Sequence, residues 1–153
     1  MREVPKKNYF IMLVIIITIV IVTIVLASVY NKNNMKTSIM YNYLSEIKIN
    51  DFDVYIVENP NTIIYIGDKY SVDNDAIEKK IKNKIIELNV SDYFVYLNLT
   101  DNIEYIDKLN ERYDVNISKD LPVIVVFEDG KIKTVYSDLK NLDLKAIIGD
   151  IKW

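Results

Sequence analysis

The chain has 153 residues and a formal net charge of −3, and it contains neither cysteine nor histidine. The lack of cysteine excludes disulfides, thiol redox chemistry and thiolate metal sites, and the lack of histidine removes the commonest general base. Residues 1–7 hold a net charge of +2, so the rest of the chain holds −5. An acidic domain without a basic stripe is a poor binder of nucleic acid, and no such partner is predicted.

An apolar run near the N-terminus predicts one transmembrane helix at residues 9–30. The run carries no charge, and Tyr9 and Tyr30 bracket it as interfacial aromatic residues do. Its length meets the roughly 20 residues that a helix needs to cross the hydrocarbon core. Basic residues before it favour a cytoplasmic N-terminus, residues 1–8. The alternative is a cleavable signal peptide ending at Val25-Leu26-Ala27, although the apolar core is longer than such peptides use.

A juxtamembrane linker or helix is predicted at residues 31–47, ahead of a domain at residues 48–153. Apolar residues at helical spacing suggest a short helix within this linker. A short first strand is predicted at residues 48–49. Residues 51–58 are ambiguous between strand and helix, and we prefer a helix capped by Asn50.

The most informative stretch follows as a strand, a glycine turn and a long helix. The strand is predicted at residues 62–66, the turn at Gly67, and the helix from about Asp73. Four apolar residues spaced by four, four and three share one helical face: Ile77, Ile81, Ile85 and Leu88. Asp75 and Glu78 have the spacing of a capping box.

The remaining elements alternate between strands and helices until a closing hairpin. A strand at residues 93–99 precedes a helix at residues 103–113 that Asp101 or Asn102 can cap. Two strands then flank Asp129-Gly130, which is a strong hairpin signal. A last helix begins at Asn141 or Asp143 and continues through Ile151.

The element order is β-α-β-α-β-α-β-β-α, and with Pro122 opening the last hairpin it resembles the thioredoxin family over about residues 48–153. The resemblance predicts an α/β fold, a thioredoxin-like mixed central sheet flanked by helices and preceded by one transmembrane helix. In that family the turn before the long helix carries Cys-x-x-Cys. Ser71-Val-Asp-Asn74 stands at that position here, so the resemblance implies the scaffold without its redox chemistry.

We call the segment at residues 71–74 the Ser71 turn. The same resemblance implies a cis peptide bond at Leu121-Pro122 that faces this turn. In the family, the backbone beside this proline binds extended peptide by strand-like hydrogen bonds. The candidate binding groove is therefore assigned to five residues: Tyr70, Ser71, Asn74, Leu121 and Pro122. No catalytic residue, metal ligand or cofactor is predicted.

Two sharper interpretations of the turn carry less weight. Ser71 as a nucleophile would need a base, and proximity in sequence does not establish Lys69 in that role. Polar residues of this stretch are better explained as helix caps. Asp68, Asp73 and Asp75 could surround a divalent cation, but they lack the pattern of a calcium loop and fit a solvated acidic edge.

The function expected from these features is binding. We expect a bacterial, membrane-tethered, redox-inactive domain that holds a peptide or partner protein outside the cytoplasmic membrane, in secretion, maturation or envelope assembly. The bacterial assignment follows from the abundance of Ile, Lys and Asn. One alternative is an indirect redox role, presenting clients to a true thiol oxidoreductase. Another is an enzyme whose active site the sequence does not reveal.

Overall fold

The computed structural model of the chain describes residues 6–33, 36–71 and 73–149. The chain divides into two units, residues 1–35 and residues 36–153. The first unit contains helix α1 (Lys6–Asn33). The second contains five further helices and five strands, in the following order along the chain: α2 (Ile39–Tyr43), β1 (Ser45–Ile47), α3 (Phe52–Glu58), β2 (Thr62–Gly67), α4 (Asp75–Leu88), β3 (Phe94–Asn98), α5 (Tyr105–Tyr113), β4 (Val123–Glu128), β5 (Lys131–Tyr136) and α6 (Leu144–Gly149).

Helix α1 is long and apolar enough to cross a membrane over Asn8–Tyr30, which includes the predicted span at residues 9–30. Its two threonines are satisfied within the helix. Thr18 Oγ1 donates to the carbonyl of Val14 at 2.9 Å, and Thr23 Oγ1 donates to that of Ile19 at 2.8 Å. These bonds suit a helix in lipid, where a polar group finds no water. Most of the predicted cytoplasmic segment, residues 1–8, lies outside the described residues.

The five strands form one mixed sheet in the order β1-β3-β2-β4-β5. Strands β1, β3 and β2 are parallel, because helices connect them, and β4 runs antiparallel to both β2 and β5. Asp129 and Gly130 make the turn between β4 and β5 with φ angles of 52° and 71°, the left-handed conformation that favours such residues. The predicted order of elements and the predicted hairpin are confirmed.

Two apolar clusters cover the two faces of the sheet. We call the first the α4 face; it packs α2, α4 and α6 against alternate strand residues such as Tyr65 and Tyr96. We call the second the α5 face; it packs α3 and α5 against the intervening residues, such as Ile64 and Leu97. Strand β2 is buried along its whole length. A central strand covered on both sides needs an apolar sequence without alternation, and β2 has one.

The domain begins earlier than residue 48, where the sequence analysis placed its start. Strand β1 lies at Ser45–Ile47 rather than at residues 48–49, and it pairs with β3. Within the predicted linker, Met40 is fully buried and Leu44 nearly so. The helical pattern in this part of the sequence corresponds to α2, which has five residues and packs against α4. Residues 34–35 of the linker lie outside the described residues.

The helices α3, α4 and α6 are present, but their caps differ in part from those predicted from the sequence. Helix α3 confirms the helical interpretation of residues 51–58, although no side chain caps it and Asp51, not Asn50, is its N-cap residue. Helix α4 begins at Asp75, and its N-cap residue Asn74 makes no side-chain cap bond. The predicted capping box is wrong because Glu78 is buried and binds elsewhere. Asp143 does cap α6, and the predicted end of that helix at Ile151 lies outside the described residues.

Candidate functional site

All five strands of the sheet have one of their ends on the same side of the domain. Strands β2 and β3 end there at Gly67 and Asn98 because they are parallel. Strand β4 is antiparallel to β2 in a register that pairs Ile66 with Val123, so β4 begins where β2 ends. This register brings the Ser71 turn and the Leu121-Pro122 segment together, although they are fifty residues apart in sequence. The carboxyl ends of parallel strands are a common place for binding sites.

Two depressions lie beside these strand ends and share Leu121. Together we call them the Leu121 groove. The wide depression has a volume of about 380 Å³ and is lined by eight residues: Asp68, Ser71, Leu99, Asp101, Ile103, Glu104, Lys119 and Leu121. The narrow depression has a volume of about 130 Å³. Its lining includes Asn74 and Pro122, together with the segment that follows β5, residues 137–140.

Four of the five predicted groove residues therefore line the Leu121 groove. Ser71 and Leu121 share the wide depression, and Asn74, Leu121 and Pro122 share the narrow one. The Leu121-Pro122 peptide bond is cis, as the resemblance implied. Tyr70 is not among the described residues that line either depression. What these residues bind stays a prediction.

A hydrogen-bonded turn fixes the floor beside Ser71. Asp68 Oδ1 accepts from the backbone N–H of Tyr70 at 2.8 Å. The Thr100 hydroxyl lies 2.8 Å from Asp68 Oδ1 and 2.7 Å from Asn98 Oδ1, and its single hydrogen can bind one of them at a time. Thr100 Oγ1 also accepts from the backbone N–H of Lys69 at 2.9 Å. The ends of β2 and β3 are thereby tied together below the groove.

Solved structures resemble this architecture. The thioredoxin of Fasciola hepatica superposes with a TM-score of 0.51 at 18% sequence identity, over 71% of this chain and 100% of that chain. The chain has a thioredoxin-like fold. The oxidized mitochondrial thioredoxin 3 of Saccharomyces cerevisiae gives a TM-score of 0.49 at 14% identity, over 73% of this chain and 96% of that chain. No family model and no curated protein sequence matches the chain.

At these sequence identities the likeness establishes the fold only. The chemistry of the site must be inferred from the residues of this chain. This thioredoxin-like domain has no cysteine, so the dithiol–disulfide exchange that uses Cys-x-x-Cys has no thiol to act on. The resemblance placed Ser71 and Asn74 at the positions of the two thiols, and that placement stays a prediction. Asn74 Nδ2 lies 3.4 Å from Ser71 Oγ, a long and weak contact. Neither side chain is a base that could activate a hydroxyl.

Lys69 does not serve Ser71 as a base either. Its Nζ lies 4.6 Å from the centroid of the Tyr41 ring and 5.5 Å from that of the Tyr70 ring. A hydrogen bond with Tyr41 raises the pKa of Lys69, so its ammonium group stays protonated at neutral pH. A protonated lysine held over aromatic rings is a cation–π donor and cannot accept a proton. This contact also explains why Tyr70 turns its ring to Lys69.

Two acidic residues of the turn have partners within the protein. Asp75 pairs with Lys36, and Asp68 is bound to the turn described above. Among the described residues, no group of three or more acidic, histidine or cysteine side chains is placed to hold a metal ion. The cation site considered for Asp68, Asp73 and Asp75 therefore finds no support in their geometry.

A buried polar cluster beneath the turn was missed by the sequence analysis. Glu78 is 2% exposed, and its carboxylate lies 2.9 Å through each oxygen from the Ser38 hydroxyl. It also accepts from the backbone N–H groups of Ile39 at 2.7 Å and Met40 at 3.3 Å, and from the Tyr65 hydroxyl at 2.8 Å. Glu78 thus binds the start of α2 to α4. In the sequence, Glu78 precedes Ile81 and Ile85 by three and seven residues, a spacing that puts it on the apolar side of α4.

The two tyrosines above this cluster titrate far from their ordinary range. Burial, with the adjacent Glu78 carboxylate second, raises the pKa of Tyr65 well above 10. Burial likewise raises the pKa of Tyr96. The two rings stack with centroids 5.5 Å apart, and both stay neutral at any physiological pH. They form a neutral, rigid support under the turn.

Gly67 is required where β2 meets the turn. A Cβ atom at this position would lie 2.5 Å from Tyr96 Oη and 3.1 Å from the nearest atom of Tyr65. Real Cβ atoms do not approach that closely, so any larger residue would displace the tyrosine pair. The glycine noted in the sequence as a turn residue is needed for close packing, and its φ angle is not left-handed.

Proposed function

We propose that this chain is a membrane-tethered binding protein whose thioredoxin-like domain holds an extended peptide or partner segment in the Leu121 groove. The observation that carries the proposal is the groove itself. It joins the Ser71 turn to Leu121-Pro122 at the end of the sheet where β2 and β3 end and β4 begins. An extended segment that passes beside Pro122 can combine backbone hydrogen bonds with side-chain pockets.

Binding is favoured over catalysis by the chemistry of the same residues. The side chain that contacts the Ser71 hydroxyl is the Asn74 amide, which is not a base; Lys69 is protonated, and the chain offers no thiol. A rigid support of stacked tyrosines and a hydrogen-bonded turn suits a site that holds a partner without reacting with it. Tyr70 adjoins the turn and remains a predicted contact at its margin.

The tether is proposed from α1 and its flanking charges. An apolar helix of this length is suited to span a bilayer, and basic residues before it favour a cytoplasmic N-terminus. The domain would then lie outside the cytoplasmic membrane, where a bound partner belongs to secretion, maturation or envelope assembly. In this position and without a thiol, the domain would act as an accessory protein that captures or positions a substrate for other proteins.

Site-directed photocrosslinking tests the groove in intact cells. A photoreactive phenylalanine analogue would replace Leu121 or Asn74 in the groove, or Val57 as a control. Val57 is 81% exposed on α3, which lines neither depression. We expect a discrete crosslinked species from Leu121 and Asn74 and none from Val57. Equal yields at all three positions, or none at the groove positions, would contradict the proposal.

The orientation can be tested with single cysteines, because the chain contributes none of its own. We expect Lys131→Cys, in the exposed turn region of β5, to react with a membrane-impermeant maleimide on intact cells. Arg2→Cys should react only after permeabilisation. The reverse pattern would place the domain inside the cell, and release of Lys131→Cys protein into the medium would indicate a cleaved signal peptide.

A further inference from the structure

We propose that the segment bound in the Leu121 groove is basic, with an aliphatic residue seated between lysine or arginine side chains. This inference rests on the proposed binding function and specifies the chemistry of the partner. Its basis is the wide depression, where an apolar floor is surrounded by carboxylates.

The floor of the wide depression is made by three aliphatic side chains. Leu99 is 2% exposed, and Ile103 and Leu121 are half-buried at its sides. Apolar surface left partly open to water gains free energy when an aliphatic side chain covers it. A depression of about 380 Å³ has room for one such side chain and the backbone beside it.

The rim of the same depression carries an excess of negative charge. Asp68, Asp101 and Glu104 are its three carboxylates, and Lys119 is the one lysine among the described lining residues. Lys119 is already paired, because its Nζ lies 2.7 Å from Asp107 Oδ2. Asp101 and Glu104 are exposed, so a cationic partner meets two accessible carboxylates, while an anionic one meets repulsion.

The spread of these carboxylates favours amino-acid side chains over a bare metal ion. No group of acidic residues in the described part of the chain converges as metal ligands do. Asp101 and Glu104 are exposed and separated by the apolar Ile103. Lysine and arginine fit this arrangement, because their aliphatic stems lie along apolar surface while the charged ends reach outward.

The narrow depression adds no comparable preference. Asp120 and Asp138 line it with Lys140, and Lys80 Nζ reaches the Lys140 carbonyl at 3.4 Å. Its charges are close to balanced, so the selectivity for basic segments is assigned to the wide depression. The narrow one would accommodate the continuing backbone next to Pro122.

Selection from a random peptide library tests the inference without assuming a partner. The full chain would be held in phosphatidylcholine nanodiscs, and phage-displayed random heptapeptides would first be depleted on empty nanodiscs. We expect the enriched peptides to carry lysine or arginine next to leucine, isoleucine, valine or methionine. The most enriched peptide would then be synthesised, and its affinity measured by fluorescence anisotropy at low and high salt.

A matched pair of double variants isolates the rim charges. Asp101→Asn with Glu104→Gln removes two carboxylates from the rim. Asp114→Asn with Glu111→Gln removes the same charges at the other end of α5, away from the groove. Asp101 and Asp114 both have positive φ, 62° and 51°, which asparagine tolerates. We expect about a tenfold loss of affinity for the rim variant, less at high salt, and less than about twofold for the control.

The outcomes separate this inference from the proposed function. Enriched peptides without basic residues, whose binding is lost in Leu121→Ala and Ile103→Ala, would overturn the basic preference and leave the groove as a binding site. Equal affinity in the rim and control variants would also overturn it. No enrichment over empty nanodiscs would overturn both. Circular dichroism and thermal unfolding of each variant would confirm that the fold is retained.

Discussion

The two faces of the sheet are built by different means. Of the three buried polar residues among those described, Ser38 and Glu78 belong to the α4 face, and Thr62 lies at the start of β2. The α5 face is held by aliphatic and aromatic contacts, with Phe52 in edge-to-face contact with Tyr105 and Phe127. On the α4 face, a substitution that removes a buried charge without changing side-chain volume should therefore lower the free energy of unfolding. On the α5 face, only a change in side-chain volume should do so. The following predictions test that difference.

The largest effect is expected from Phe52→Ala on the α5 face. Phe52 is 1% exposed, and its removal would leave a cavity between α3 and the sheet. We expect the free energy of unfolding to fall by about 4 kcal/mol in chemical denaturation. Val57→Ala on the same helix is the control, with a change within about 0.5 kcal/mol. A small loss at Phe52 would mean that the α5 face is not set by packing.

Glu78→Gln tests the α4 face without changing volume. A glutamine accepts through one oxygen only, so its NH2 group must face either the backbone N–H groups at the start of α2 or the hydroxyls of Ser38 and Tyr65, which would then have to accept instead of donate. We expect a loss of about 3 kcal/mol in the free energy of unfolding, because buried hydrogen bonds to charged groups are costly to break.

Two further substitutions serve as controls for that prediction. Glu87→Gln lies on the same helix in an exposed pair with Lys84 and should leave the free energy of unfolding almost unchanged. Ile106→Leu is a volume-conserving change on the α5 face and should cost less than about 1.5 kcal/mol. If Glu78→Gln were no worse than these, the polar cluster would not stabilise the α4 face.

Gly67→Ala should destabilise the domain by about 2 kcal/mol through the close contact with Tyr96. Tyr96→Phe removes the clashing hydroxyl, which makes no hydrogen bond among the described residues. By itself this change should be nearly neutral. In the double variant we expect part of the loss to be recovered. A double-mutant cycle measures the coupling, and strict additivity would refute the proposed contact.

The smallest effect concerns alkaline pH. The pKa of Tyr65 is raised in the folded state, whereas an unfolded tyrosine titrates near 10. The folded state thus keeps a proton that the unfolded state loses, and stability declines as pH rises past 10. Each such group contributes about 1.4 kcal/mol per pH unit. We expect Tyr65→Phe to flatten this decline in denaturation midpoints measured from pH 9 to 11.

Local signals accounted for most of the fold. The stripe of α4 predicted a buried helix, Asp129-Gly130 predicted the hairpin, and the uncharged N-terminal run predicted α1. Each of these depends on residues close in sequence, whose periodicity or turn conformation is a local property. The placement of Ser71 beside Leu121 came instead from the resemblance to the thioredoxin family, since no local signal links segments so far apart.

The sequence by itself determined the element order, the apolar helix and the absence of thiol and imidazole chemistry. Tertiary structure decided the rest. Glu78 has the spacing of a capping residue, but its buried carboxylate accepts hydrogen bonds from Ser38, forty residues away, and from Tyr65 on β2. Asp101, Glu104 and Leu121 form one groove only through the antiparallel pairing of β4 with β2. These long-range contacts depend on the register of the strands and the packing of the helices. No local sequence pattern predicts them, because the residues involved are far apart in the chain.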